Sequence, residues 1–436
     1  MRKHYTPKHL ISKLKRHLPK KANRLLEPSV GDGALLDVIR NNINAATIKT
    51  TVFDINAEPL KEIRNRFNCV FSRLTLRNEC FLNWSTACNS RKLFDLIVMN
   101  PPFSGRSETW VEFEKKKMPI EIAFLRSCMN LCSENGTIMA ILPKTIISGD
   151  AKSSLEVREA LFSSFSVKYC YELNEFEFPT IEGQFYLLVA KKQKLSSRVH
   201  LRNSEDGEVV LSSSKLRCYG YRLDYSFIKS LRFYEMITNN DYYHFKPAGV
   251  ICDIYRGKLI PPYDKHAVIH STSYSGHWNN PSKTIFNKQI NSVYVDKGDI
   301  LVKRVGRNCL KSFGLMLINR KQVPTDCILI LRPKNQDDAM KILFSIRILY
   351  SHSNGESYLQ RGTGAKYISA NRLALAPILT NLHKIYDSHF RQYEIAVKSN
   401  HIEEMMDIES VVRESISNFL YGSQKTINPS EINYMG

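Results

Sequence analysis

Asp95-Leu96-Ile97-Val98-Met99-Asn100-Pro101-Pro102-Phe103 is the stretch whose reading decides the fold. A branched apolar run stopped by two prolines reads as a buried strand with a sharp exit. Polar and aromatic residues at the carboxyl end of such a strand are where an open α/β sheet meets its ligands. The prolines fix the backbone and withdraw two N–H donors, which leaves the Asn100 amide and the neighbouring carbonyls to line a pocket. Acceptors of that kind suit a neutral planar amino group, and Phe103 is available to stack on its ring. The plainer alternative is a proline-rich strand exit with a buried Phe. Two further motifs upstream, in the right order, argue against it.

The first is Glu27-Pro28-Ser29-Val30-Gly31-Asp32-Gly33-Ala34-Leu35-Leu36, set between a strand at 24–27 and a helix at 34–41. Gly31 and Gly33 let the backbone turn tightly and approach a ligand, while the helix start presents unpaired N–H groups. A structural turn would explain two glycines equally well. The second motif tips the balance: Asp54 ends the next strand, 21 residues beyond Gly33. An acidic residue at about that spacing accepts the ribose hydroxyls of nucleotide-type ligands; its competing role is a cap for a helix at 58–67.

Around these motifs the chain alternates strands (24–27, 50–54, 93–99, 136–142) with helices (34–41, 58–67, 120–133, 156–165). That alternation predicts an α/β fold, a Rossmann-like mostly parallel sheet covered on both faces. Segments 167–171 and 184–190 are expected to pair as an antiparallel hairpin at its edge, and 8–18 to form a basic helix. Residues 1–195 are read as one domain, 196–222 as a polar junction with a strand around 209–211, and 223–436 as a second, mixed β/α domain. In the latter, strands are expected at 293–295, 299–302, 315–318 and 327–331, and helices at 339–350 and 403–420.

The composition narrows the partners. The 436 residues carry 62 Lys+Arg against 42 Asp+Glu, a formal charge of +20, which favours a polyanion, nucleic acid first. With 43% hydrophobic residues, bulk disorder is excluded. No apolar run approaches the 18 or so residues of a membrane span. Ten cysteines without a C-x-x-C pair, and histidines without paired metal spacing, point to reduced thiols in a cytosol and to no metal. The basic N-terminus superficially suits an organelle leader, but the glycine motif follows so closely that the segment is kept in the fold. Lys115-Lys116-Lys117 reads as a flexible basic loop.

In order and spacing, Glu27–Leu36, Asp54, Phe81-Leu82 with Trp84, and Asn100–Phe103 resemble the gamma class of S-adenosylmethionine-dependent DNA adenine (N6) methyltransferases. The resemblance covers roughly residues 4–192. It implies that Tyr5 and Thr6, in the extra motif ahead of the glycine loop, hold the methionine end of S-adenosylmethionine. It also implies that Glu27, Gly31, Gly33, Asp54, Phe81 and Asn100 complete the cofactor site. Asn100, Pro101 and Phe103 become the catalytic set, and Phe178, in Glu177-Phe178-Pro179, the aromatic on the other face of the target base. Cys80 departs from the family, which has a carboxylate there for the cofactor's adenine; either Glu79 takes over with a shifted loop, or a backbone group substitutes, or cofactor affinity is reduced.

Further segments resemble the target-recognition domains of gamma-class enzymes and of type I specificity subunits: Leu223-Asp224-Tyr225, Tyr255-Arg256-Gly257, 298–306, Thr325-Asp326-Cys327-Ile328 and 362–368. Lys303, Arg304, Arg307, Arg361 and Lys366 are the candidates for contact with double-stranded DNA. For any one of them alone, a solvated surface charge is the better reading. The implied function is site-specific methylation of a flipped adenine in a restriction-modification or other DNA-modification system of a prokaryotic cytosol or nucleoid, any cognate restriction endonuclease being a separate chain. Methylation of RNA adenine or protein glutamine, or a catalytically weak DNA-recognition module, are the competing expectations.

Overall fold

The computed structural model describes residues 10–43, 45–88, 93–103, 110–173, 183–193, 198–203, 207–259, 268–272, 274, 293–306, 308–319, 322–362 and 366–422. The chain divides into two compact units, Met1–Ile228 and Lys229–Gly436. No helix among the described residues is long and apolar enough to cross a membrane.

The first unit opens with a short helix, α1 (Leu10–Lys15), and then alternates as expected. β1 (Arg24–Glu27) leads to α2 (Ala34–Arg40), β2 (Lys49–Phe53) to α3 (Ala57–Phe67), and β3 (Arg73–Arg77) to α4 (Phe81–Ala87). β4 (Phe94–Met99) is followed by a hairpin, β5 (Trp110–Phe113) and β6 (Lys116–Pro119), then by α5 (Ile120–Leu131) and β7 (Cys132–Pro143). After α6 (Lys144–Ser148) and α7 (Lys152–Ser164) come β8 (Ser166–Glu172), β9 (Phe185–Lys191), β10 (Arg198–Arg202), β11 (Glu208–Ser212) and α8 (Ser213–Cys218).

Nine strands form one sheet in the order β11-β10-β8-β9-β7-β4-β1-β2-β3. β3, β2, β1, β4 and β7 run parallel, and β9 lies antiparallel between β7 and β8. This is the α/β class expected, a Rossmann-like, mostly parallel sheet. β4 is its spine: Leu96, Ile97 and Met99 are 0% exposed, each contributing about 1.5–3 kcal/mol by leaving water. Strand order reverses between β1 and β4, so the loops after them diverge to opposite faces and leave a crevice, the switch point where such sheets bind ligands.

Three expectations change. β8 and β9 pair as a hairpin but lie inside the sheet, because β10 adds parallel to β8 and β11 closes the edge. The stretch read as a junction therefore supplies two strands of the first unit. Lys115–Lys117 is no loose loop: the segment is the turn and second strand of β5–β6, with Phe113 and Met118 buried and Glu114 ion-paired to Arg126 at 2.7 Å.

The second unit centres on a four-stranded antiparallel sheet, Cys252–Arg256, Ile328–Pro333, Ile300–Lys303 and Gly314–Leu315, in that order across it. The helix Ala339–Tyr350 lies where its uniformly apolar sequence predicts, buried along nearly its whole length. Asp387–Ser399 and Ile402–Gly422 are two further long helices beside it. Arg347 is enclosed there by Glu409 and by the carbonyls of Phe313 (2.7 Å) and Lys311 (3.1 Å), while the Tyr393 hydroxyl donates to Glu409 at 3.1 Å. Of the segment 293–295, only Val295 pairs, in a single bridge to Gln322.

Candidate active site

The glycine loop leaves β1 and turns through two left-handed residues, Gly31 (φ 52°) and Gly33 (φ 77°). A side chain at Gly33 is excluded twice over: its Cβ would lie 2.3 Å from Ile63 Cδ1 and 3.1 Å from Phe67 Cε2. The loop is stitched to both neighbouring strand ends. On the β2 side, Val30 N–H donates to the Phe53 carbonyl (2.9 Å) and Gly31 N–H to Asp54 Oδ2 (3.1 Å). On the β4 side, the Ser29 hydroxyl donates to the Asn100 carbonyl at 3.1 Å. The three sequence motifs thus meet at the carboxyl rim of β2, β1 and β4.

Asp54 is more occupied than its sequence position suggests. Oδ2 takes Gly31 N–H, Oδ1 takes Asn56 N–H at 2.8 Å, and the Asn78 amide donates to its carbonyl at 3.1 Å. Each carboxylate oxygen keeps a second lone pair for a hydroxyl donor. Asp54 therefore both ties the loop and faces the rim.

Glu27 is the most unusual group. It is 1% exposed and its Oε2 has no hydrogen-bond partner. Burial first, then the negative charges of Asp32, Asp37 and Asp54, push its carboxyl well above the ordinary range. Burial raises Asp32 as well, opposed by the Ala34 N–H and by Arg66. Arg66 of α3 reaches the Asp32 carbonyl and the Asp37 carboxylate, clamping the outer side of the loop. An orphaned buried carboxyl oxygen fits a ligand carrying a cationic or N–H donor, which is the donor set of S-adenosylmethionine's methionine end.

Beyond the loop, Pro101 is buried and Phe103 half-buried, its ring 4.8 Å from Phe185 of β9. Phe81 departs from its expected role. Its ring is 2% exposed and packs with Phe53 (5.4 Å) and Phe124 (5.2 Å), so in this conformation it builds the wall behind the site and offers no stacking face. Cys80 stands at the start of α4 without a side-chain capping bond, and Glu79 is held by Arg77 at 2.9 Å. Tyr5, Thr6, Phe178 and Arg307 lie outside the described residues. Ser29, Arg66 and Asn78 were not singled out from sequence; only Ser29 carries a local signal, as the hydroxyl inside the glycine motif.

In the second unit the structure brings distant basic segments together. Gly306 N–H donates to the Lys366 carbonyl (2.9 Å) and Ile368 N–H to the Arg304 carbonyl (2.8 Å), which sets Lys303 and Arg304 beside Lys366. Arg304 Nε binds the Asp326 carbonyl at 2.7 Å, and Arg256 reaches the Asp326 carboxylate at 3.1 Å. Arg361 is a correction: at 5% exposure, with Nη1 on the Gln360 carbonyl, it is an interior residue and presents no guanidinium to a duplex. Among the described residues no cluster of His, Cys, Asp and Glu could hold a metal ion.

No curated protein matches the chain. Among solved structures, the type IIG restriction endonuclease BpuSI is similar at 13% identity and TM-score 0.47, over 94% of this chain and 65% of that one. A type I restriction-modification methyltransferase subunit from Streptococcus thermophilus is similar at 16% identity and TM-score 0.41, over 50% and 57%. The M protein of the type I enzyme EcoKI is similar at 12% identity and TM-score 0.37, over 50% and 53%. The chain spans less than two thirds of the length of each. The segment that carries the glycine loop, Asp54 and Asn100, residues 12–178, matches the family model of the Eco57I restriction-modification methylase.

Proposed function

We propose that the chain is an S-adenosylmethionine-dependent DNA methyltransferase of a restriction-modification system, acting on the exocyclic N6 of an adenine flipped out of the duplex. One observation carries the reading: the Ser29–Asn100 hydrogen bond fastens the glycine loop to the Asn-Pro-Pro-Phe loop across the β1/β4 crevice, so a cofactor on one and a planar amine on the other would be neighbours. The restriction-modification methylase match over the same residues supports it.

When bound, S-adenosylmethionine supplies a sulfonium methyl group open to nucleophilic attack. Glu27 takes its ammonium, Asp54 its ribose hydroxyls, and the glycine loop lets the backbone come close. Tyr5 and Thr6 act at the methionine end. Adenine N6 is a poor nucleophile because its lone pair is delocalised into the ring. The Asn100 amide oxygen and the Pro101 carbonyl accept its two hydrogens, favour a more tetrahedral nitrogen and release the lone pair. Phe103 and Phe178 hold the base between them, each stacked contact contributing about 1–3 kcal/mol. Catalysis is then positioning plus fixed dipoles, with the base extruded because its amino group is unreachable in the stack. Lys303, Arg304 and Lys366 of the second unit are the proposed phosphate and base-edge contacts.

Incubation with methyl-labelled cofactor and separate pools of duplex DNA, RNA and protein tests this. Label is expected at adenine in duplex DNA; label entering protein or RNA instead would replace the substrate.

A further inference from the structure

The opposite rim of the first unit's sheet carries a feature that the methyl-transfer site does not use. Arg24, Lys49 and Arg73 begin β1, β2 and β3 and stand in register, Arg24 beside Lys49 and Lys49 beside Arg73. Residues aligned across parallel strands point to the same face, so the three cations form a row about 10 Å long, two strand spacings. Thr51 and Thr75, one pleat further along, add hydroxyls to that face. Together with Asn68 they line a concavity of about 430 Å³.

Its chemistry is one-sided. All three cations are exposed, and none enters an ion pair among the described residues. Asp95, beside the row, is consumed by the N–H groups of Asn23 and Arg24 and by the Ser133 hydroxyl. Among the described residues the outer end of this face is uncovered, since β3 has no fully buried side chain. An exposed row of like charges across three neighbouring strands is electrostatically unfavourable by itself, which an oxygen-rich anion would relieve.

We propose that this row is a second binding site for duplex DNA, taking the phosphodiester backbone through Arg24, Lys49 and Arg73. A chain that passes through suits a groove left open along β3 better than a small anion that needs enclosure. A protein of charge +20 also meets such backbones readily. The row lies on the amino-end rim of the parallel strands, whereas Asp54, after β2, and Asn100, after the neighbouring β4, stand on the carboxyl-end rim, about 15–20 Å away. It therefore engages a different stretch of backbone from the one at the base-flipping crevice.

The test is the salt dependence of binding to a labelled duplex of arbitrary sequence, read by anisotropy on the full chain. Lys49→Ala with Arg73→Ala removes two phosphate contacts and flattens the log–log slope by about 1.8. Lys49→Arg with Arg73→Lys keeps the wild-type slope, as does the charge-matched control Lys20→Ala with Arg217→Ala at exposed sites elsewhere in the unit. An unchanged slope in the first variant, or an equal loss in the control, overturns the proposal. So does displacement by polyglutamate at equal charge, which would assign the row to an acidic protein surface. Methyl transfer does not enter this readout, so the two proposals fail separately.

Discussion

Glu27→Gln is the substitution that most directly questions the cofactor site. The wild-type carboxyl is 1% exposed with Oε2 unpartnered, and burial and three neighbouring carboxylates hold it well above its usual range. A ligand ammonium placed there forms a charge-assisted pair, whereas the amide forms an ordinary hydrogen bond. The difference is about 1.5–3 kcal/mol, so S-adenosylmethionine should bind the variant about 10–150-fold more weakly. Calorimetry in two buffers of different ionisation enthalpy adds a second signature. The wild type should release up to one proton per ligand bound, because the ammonium pulls the carboxyl back toward ionisation; the variant should release none from this site. The unliganded stabilities diverge with a definite sign. The native protein holds this proton more tightly than the unfolded chain does, so the contribution is fully present below the ordinary carboxylate pKa. It is lost as pH rises through the raised value, and Glu27→Gln has no such loss. Binding within twofold of wild type, with unchanged proton release, would refute the role of Glu27.

Asn100→Ala should lower single-turnover methyl transfer by at least about 10²–10³-fold while leaving duplex affinity intact; retained turnover would remove the central acceptor from the mechanism. Gly33→Ala should cost about 2–5 kcal/mol in denaturant unfolding, from a left-handed φ of 77° (about 1–2) and a Cβ 2.3 Å from Ile63 (about 1–3). A near-wild-type midpoint would mean the loop relaxes. Glu409→Gln leaves the buried Arg347 charge uncompensated and should destabilise the second unit by about 3–5 kcal/mol, while Arg347→Met with Glu409→Leu is milder; equal losses would contradict that account. His17, 2.7 Å from the Tyr171 hydroxyl, is held near a pKa of about 4 by burial and by Arg202 and Arg16. Its contribution is present above the ordinary histidine pKa and lost as pH falls through about 4, so thermal unfolding of His17→Asn should show a shallower acid decline than wild type.

How much of this was legible in the sequence follows from where each signal resides. β1, α2 and β4 lie within a residue or two of their expected bounds because strand–glycine–helix and strand–proline junctions are written in contiguous residues. β3 is silent in the sequence for the opposite reason: Arg73-Leu74-Thr75-Leu76-Arg77 is an edge strand without a buried side chain, so no apolar run marks it. The β5–β6 turn places Glu114 and Lys115 at positive φ, where glycine or asparagine is the usual signal, and it reads from sequence as a loose basic loop. The loops of the candidate site inherit the legibility of their strands. What one sequence could not reveal is which charges are already used. Arg361 and Lys366 look alike beside their glycines, yet one is enclosed and the other half-exposed. Asp326 engages Arg304 and Arg256 across a register that no local pattern encodes. A basic composition therefore sets how strongly a polyanion is attracted, while tertiary pairing decides which side chains remain to meet it. That is why the row at Arg24, Lys49 and Arg73, without an ion pair among the described residues, carries more weight than the larger number of lysines and arginines around it.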